Sequence, residues 1–203
     1  MPYIKEVFDV STFDHAKNVV LTPDPNNPSK FENETNFLIN TIAEQMSTKM
    51  NEDSVVLDFG CGMGRVSKEL VKTFDCSVLG FDISESMKTF ATLYVSNPRK
   101  FKTISEMPAD NSVDVSLAVF VLQHVENPQQ EIEKIVKTLK PNGYLVLVNE
   151  DNRFVPNDVD DKGFVIWDND NFNVFTEIEK HLTKVKETPY INPEKDIVIY
   201  RKQ

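Results

Sequence analysis

Three of the chain's six glycines fall within five residues, at Gly60, Gly62 and Gly64. They stand between an apolar run, Ser54-Val55-Val56-Leu57-Asp58-Phe59, and a stripe at helical spacing, Val66, Leu70, Val71 and Phe74. A short, nearly unbroken apolar run predicts a strand buried on both faces, which is the habit of parallel sheets. A strand that turns through glycines into a helix is the opening unit of an open α/β sheet. In such sheets ligands sit beyond the carboxyl ends of the strands, where this loop lies. Glycine there serves a sharp turn or the close approach of a ligand.

The rest of the chain repeats the alternation. Cys76 to Phe81 predicts a second buried strand closed by Asp82, and Glu85 to Val95 a second helix. Phe101 to Ile104 and Val113 to Phe120 read as the third and fourth strands. Asn127-Pro128-Gln129-Gln130 marks a helix start, with an Asn cap and proline at the first helical position. Ile132, Ile135, Val136 and Leu139 continue it as an apolar stripe. Lys140-Pro141-Asn142-Gly143 ends that helix, and Tyr144 to Val148 is a fifth strand. Thr183 to Tyr190 and Asp196 to Arg201, joined through Ile191 to Lys195, leave no room for a crossover helix and predict an antiparallel pair. Upstream, Leu38, Ile39, Ile42, Ala43 and Met46 share one face of a covering helix that starts near Asn36. Residues 1–30 show little periodicity, and Leu21 to Pro28 is a proline-rich loop.

The expected organisation is one domain over residues 1–203. It has an N-terminal cap and cover helix (1–50), a ligand-binding core (51–149), a candidate substrate loop (150–175), and a C-terminal helix with the strand pair (176–203). A length of 203 residues suits one full-sized domain. Net charge is −10, which argues against partners recognised by neutralising phosphates, nucleic acid and anionic membrane alike. No apolar run has the length of a membrane span, and the first residues carry no apolar leader. Cys61 and Cys76 are too few for a disulfide framework, so the expectation is a reduced, cytoplasmic protein.

Spacing narrows the ligand of the glycine loop. A dinucleotide fingerprint begun at Gly60 needs glycine where Arg65 stands, and one begun at Gly62 needs it where Ser67 stands. The Gly-Lys-Ser/Thr of a phosphate-cradling loop is absent. Pyrophosphate is therefore disfavoured, and with it a nicotinamide oxidoreductase. Asp82 at a strand end can accept from both hydroxyls of a ribose, or cap the helix that follows. Asp58, at the end of a buried strand, is expected to face a cationic group, because an unpaired carboxylate there is costly.

From Val55 to Val148 the sequence resembles the class I S-adenosylmethionine-dependent methyltransferases, most closely the small type 11 domain. The resemblance is carried, in order, by Val56 to Arg65, Gly80-Phe81-Asp82-Ile83-Ser84, Met107 to Asp114, Val121 to Pro128 and Leu139 to Leu145. It implies a Rossmann-like, doubly wound sheet of seven strands, mostly parallel with an antiparallel last strand. S-adenosyl-L-methionine is the implied cofactor. The glycine loop, with Gly60, Cys61, Gly62 and Gly64, would contact its methionine part, Asp58 its amino group and Asp82 its ribose. Ile83 and Met87 would flank the adenine, and Ala118, Val119 and Phe120 would line the wall beside the sulfonium. The family often carries an acidic residue and an alanine where this chain has Thr103 and Ile104. Ser105, Glu106 or backbone must then accept from the adenine amino group.

Methyl transfer from a sulfonium needs alignment above all. A base is needed only if the acceptor arrives protonated, and His124 is the candidate, with a purely orienting role as its alternative. His15 in the N-terminal segment and His181, read as a surface helix residue, are not assigned a role, and Cys61 lacks a partner that would make it a nucleophile. Glu150 to Asn171 holds seven acidic side chains against Arg153 and Lys162, interleaved with Phe154, Phe164, Ile166 and Trp167. It reads as a lid whose rim favours cationic or neutral acceptors, or as a solvated acidic loop. No metal site is expected, since Phe172 and Asn173 spoil a calcium loop at Asp168. The expected activity is in-line methyl transfer to a small molecule. The alternative is an inactive cofactor-binding domain that regulates a partner protein.

Overall fold

Strand β1 (Val55–Phe59) leads through the glycine loop into helix α3 (Arg65–Phe74), and every strand-then-helix step up to residue 104 repeats this pattern. The computed structural model describes residues 3–191 and 195–203. Phe8–Glu106 form one compact unit, and the remaining described residues, chiefly Met107–Gln203, form a second.

In the first unit, helix α1 (Phe13–Val20) and helix α2 (Lys30–Met46) precede β1. Strand β2 (Ser77–Phe81), helix α4 (Glu85–Val95) and strand β3 (Phe101–Ile104) follow α3. β1 and β2 pair in parallel from Val55↔Ser77 to Phe59↔Phe81, and β2 and β3 from Val78↔Phe101 to Phe81↔Ile104. All three carboxyl ends therefore lie along one edge. β1 is buried from Val56 to Phe59, as its composition demands. β2 departs from expectation: Val78 and Gly80 are buried while Ser77, Leu79 and Phe81 are half-buried.

In the second unit, strand β4 (Val113–Val119) precedes helix α5 (Pro128–Thr138) and strand β5 (Leu139–Val148). Strands β6 (Val155–Val159) and β7 (Val165–Asp168), helix α6 (Val174–Glu179), and strands β8 (Thr183–Pro189) and β9 (Asp196–Arg201) complete it. β4 and β5 run parallel, with a register shift that loops out Lys140 to Gly143, so Leu139 lies on the sheet rather than on the helix. β9 is antiparallel to β5, and β8 is antiparallel to β9. The sheet has seven strands in the order β3-β2-β1-β4-β5-β9-β8, the expected fold class with its one reversed strand. The connection expected from Ile191 to Lys195 falls largely on residues 192–194, outside the described residues; the amide of Tyr190 donates to the carbonyl of Lys195 across it, at 2.8 Å.

Three elements differ from the sequence reading. α1 forms within a stretch expected to be irregular: Thr12 caps it by accepting from the amide of His15, and Ala16 is wholly buried. α2 starts at Lys30 rather than near Asn36, which adds Phe31 and Thr35 to its buried face. The stretch 150–175 is not one loop, since β6 and β7 form an antiparallel hairpin within it. His181 lies just past α6, not on it.

Candidate active site

The glycine loop is built by its own backbone. The amides of Gly60 and Cys61 both donate to the carbonyl of Phe81, at 2.7 and 3.0 Å. The amide of Gly62 donates to Oδ2 of Asp82 at 2.8 Å, and that of Gly64 to the carbonyl of Cys61 at 2.9 Å. Gly60, Gly62 and Gly64 have φ of +72°, +51° and +82°, where a side chain would strain the backbone. Packing adds a second demand. A β-carbon at Gly62 would lie 2.6 Å from the Val20 side chain of α1, and one at Gly64 only 3.2 Å from the backbone of Ala91 in α4.

With these four amides committed, the loop cannot offer them to a phosphate. Its polar walls are instead two carboxyl groups. Asp58 is 2% exposed and accepts from the Ser67 hydroxyl at 2.5 Å. Burial raises its pKa from 3.8 to about 6, against the pull of the Ser67 hydrogen bond, with nearby Asp82 pushing the same way. Within the protein the Asp58 carboxyl is bonded by a hydroxyl, and the charge of Arg65 pulls its pKa down. Arg65 directs its guanidinium to Thr35 Oγ1 at 3.2 Å. Burial also raises the pKa of Asp82, opposed by the amides of Ser84 and Gly62 that its two oxygens accept. Asp82 does not cap α4: Ser84 does, accepting from the amide of Met87 at 3.2 Å.

The other predicted residues of this unit fall into two sets. Ile83 is half exposed beside Asp82, and Ser105 and Glu106 are exposed just past β3. Met87 is only 2% exposed, packed with Val10, Ala16, Phe31 and Met63. Cys61 is buried, with its thiol pKa pushed well up by burial, and donates weakly to the carbonyl of Gly62. It is an inert thiol, as is buried Cys76, raised to about 11.

In the second unit, β4 carries Ala118, fully buried, then Val119 and Phe120, both partly exposed. Phe120 holds φ of +53°, uncommon for an aromatic residue and a form of strain that gathers at functional sites. Its ring meets Tyr190 edge-on with centroids 5.5 Å apart, and the Lys195 ammonium lies 5.2 Å from its centroid. Lys195 also pairs with Glu150.

His124 closes a short turn, Leu122–His124, after β4. The Glu150 amide donates to Gln123 Oε1 at 2.9 Å, which makes Nε2 of Gln123 a donor toward His124 Nε2, 3.3 Å away. Nδ1 of His124 lies 2.8 Å from the Phe154 carbonyl. The network assigns the tautomer: Nδ1 carries the proton and Nε2 keeps its lone pair. Burial lowers the His124 pKa, partly offset by the Phe154 carbonyl and the charge of Glu150, so the ring is neutral at pH 7. Trp167 of β7 presents its ring edge-on at 5.5 Å. What the sequence does not show is that Gln123 and Trp167 both pack against the His124 ring. Gln123 stood beside His124 in a matching segment, whereas nothing in the chain order links Trp167 to His124.

His15 is exposed on α1, and among the described residues no group of three possible metal ligands occurs.

Residues 57–147 match the family model for the methyltransferase domain. This stretch is a methyltransferase domain. It holds the glycine loop, Asp58, Asp82 and His124, and its cofactor is S-adenosylmethionine. The domain is 34% identical to a ubiquinone biosynthesis O-methyltransferase of Rickettsia typhi, over 54% of this chain and 47% of that protein. It is 28% identical to a malonyl-[acyl-carrier protein] O-methyltransferase of Halalkalibacterium halodurans, over 54% of this chain and 44% of that protein. The chain thus spans about half the length of these curated relatives. Its fold is that of the N-methyltransferase NodS from Bradyrhizobium japonicum, solved with S-adenosyl-L-homocysteine. The two superpose with a TM-score of 0.67 at 16% identity, covering 98% of this chain and 97% of that one. The PH0226 protein of Pyrococcus horikoshii shares it too, with a TM-score of 0.70 at 19% identity over 95% of this chain and 100% of that one. Among the described residues no helix is long and apolar enough to cross a membrane.

Proposed function

We propose that the chain is an S-adenosylmethionine-dependent methyltransferase that transfers its methyl group in-line to a small-molecule acceptor. The observation that carries this reading is the glycine loop, four of whose amides bond within the protein while Asp58 and Asp82 supply the polar chemistry. A dinucleotide would bring pyrophosphate against two carboxyl groups. A nucleoside with cationic sulfur and nitrogen meets them favourably. Asp82 receives the ribose hydroxyls, Asp58 the ammonium, and half-exposed Ile83 one face of the base.

S-adenosylmethionine supplies an activated methyl on a leaving thioether. The protein's part is to hold acceptor and sulfonium in line and to exclude water. His124 serves as base when the acceptor is a hydroxyl or a protonated amine: its neutral Nε2 exchanges the Gln123 amide for the acceptor's proton, while the Phe154 carbonyl steadies the imidazolium through Nδ1. A small-molecule acceptor accords with the name of the ubiquinone biosynthesis relative. The Trp167 hairpin with its acidic neighbours favours acceptors that are neutral or cationic. Free, buried cysteines accord with work in the cytoplasm.

The test is calorimetric titration with S-adenosylhomocysteine, followed by methyl transfer from labelled S-adenosylmethionine to a panel of phenols, carboxylic acids and amines. Absence of binding would overturn the reading. For the base, the comparison is wild type against His124→Gln across pH. Wild-type kcat/KM should fall on the acid side with the His124 pKa, and the variant should lose roughly 10²-fold or more, about what a positioned base contributes. An unchanged pH profile would leave His124 an orienting residue.

A further inference from the structure

Lys88 is a charged side chain that the reading above leaves unused. It lies on α4 with only 6% of its side chain exposed. Lysine is rarely so buried without strong pairing. Its carboxylate partner, Glu85 Oε1 at 2.6 Å, is 81% exposed, so solvent screens that pair. The second partner is a neutral hydroxyl, Ser105 Oγ, at 2.8 Å. An ammonium has three N–H donors, and among the described residues these two partners engage two of them.

Its place in the fold gives the charge an object. β2 and β3 pair up to Phe81↔Ile104, so Asp82 and Ser105 follow as neighbours on the carboxyl edge of adjacent strands. The charge on Lys88 reaches the Asp82 carboxyl and the Cys61 thiol, where it opposes the rise that burial causes in both. A base carried from a ribose on Asp82 toward β3 would approach the ammonium of Lys88 and the hydroxyl that Lys88 holds. A cationic donor stands where an acceptor of the adenine amino group was expected.

We propose that Lys88 and Ser105 are the purine-reading end of the cofactor site and read acceptor atoms of the base, so that the site also takes cofactors in which hypoxanthine replaces adenine. This rests on the cofactor assignment above. Adenine offers N1 as an acceptor beside its 6-amino donor, and hypoxanthine offers a 6-oxo acceptor. An ammonium on a flexible stem can meet either with a charge-assisted hydrogen bond. A site built around a carboxylate would instead leave a buried acceptor facing the oxo group, and such mismatches cost large factors in affinity.

The experiment compares the dissociation constants of S-adenosylhomocysteine and S-inosylhomocysteine by calorimetry on the full chain. Wild type should bind the two within about threefold. Lys88→Met should weaken the inosyl form at least tenfold more than the adenosyl form, and Lys88→Arg should restore the wild-type ratio. A wild-type preference above tenfold for adenosine overturns the proposal, as does a Lys88→Met variant that changes both alike or neither. The wild-type ratio decides even if Lys88→Met does not fold. Failure to bind either nucleoside would sink the cofactor assignment itself, a result distinct from binding with strong adenine preference.

Discussion

At the scale of the residue, Asp58 couples the pocket to pH. Its folded-state pKa of about 6 lies above the unfolded value near 3.8, because burial disfavours the charged form more than Ser67 favours it. The unligated native state therefore binds its proton more tightly than the unfolded chain does. The stability this confers is full below about pH 4 and is lost as pH rises through 6. A shift of this size amounts to roughly 3 kcal/mol. Asp58→Asn keeps an acceptor for Ser67 but cannot ionise. Urea unfolding at pH 4 and pH 7 should show the variant gaining about 2–3 kcal/mol on wild type across that interval. Parallel curves would show that Asp58 does not titrate there. Binding of an ammonium-bearing cofactor reverses the preference, so affinity should rise with pH up to about 6 and level off above it.

Much of this residue chemistry is legible in the chain. The glycine run, the strand-end acids and the Gln123-His124 turn lie within short motifs whose geometry is local. The burial of Met87, by contrast, is not legible locally, because its cover comes from Val10 and Ala16, far away along the chain. Ser84 takes the cap expected of Asp82, because both oxygens of Asp82 are claimed by amides, including one from the distant glycine loop.

Elements show the same division between local and distant causes. Helix α1 leaves little trace in the sequence because eight residues hold barely two turns of apolar spacing, and it forms where Val20 can settle against Gly62. The β6–β7 hairpin is obscured by a register shift between Pro156 and Asp158, which breaks the two-residue alternation that announces a strand. Its turn, Asp160-Asp161-Lys162-Gly163, is the available signal, with Gly163 at φ +85°. Two glycines separate conformation from packing. A β-carbon at Gly163 would meet nothing within 4 Å, so Gly163→Ala costs backbone strain alone, about 1–2 kcal/mol. Gly64 sits at φ +82° against the backbone of Ala91 and the side chain of Val95, so Gly64→Ala adds overpacking of α3 on α4. That variant should lose roughly 2–5 kcal/mol in urea unfolding. Equal losses for the two variants would refute the packing role of Gly64.

For the whole molecule, the question is whether 203 residues unfold as one body. The sequence predicts one domain, and the second unit is not continuous along the chain: the Ile4 amide donates to the Pro156 carbonyl at 3.0 Å, while Phe8–Glu106 form the first unit. The first unit is thus an insertion between two segments that belong together, and those segments are tied by that contact. We propose that the units unfold cooperatively, as two-state single domains do. The single tryptophan, Trp167, lies in the second unit, so its fluorescence follows that unit alone, whereas far-ultraviolet circular dichroism follows both. In urea the two signals should trace one coincident transition. S-adenosylhomocysteine at about 100 times its dissociation constant should shift both by the same amount, about 2.7 kcal/mol. Because the glycine loop, Asp58 and Asp82 belong to the first unit, a tryptophan signal that moves with ligand shows stabilisation crossing from one unit to the other. Separated transitions, with the ligand shifting circular dichroism but not fluorescence, would mean that the chain folds as two bodies and that the one-domain reading fails.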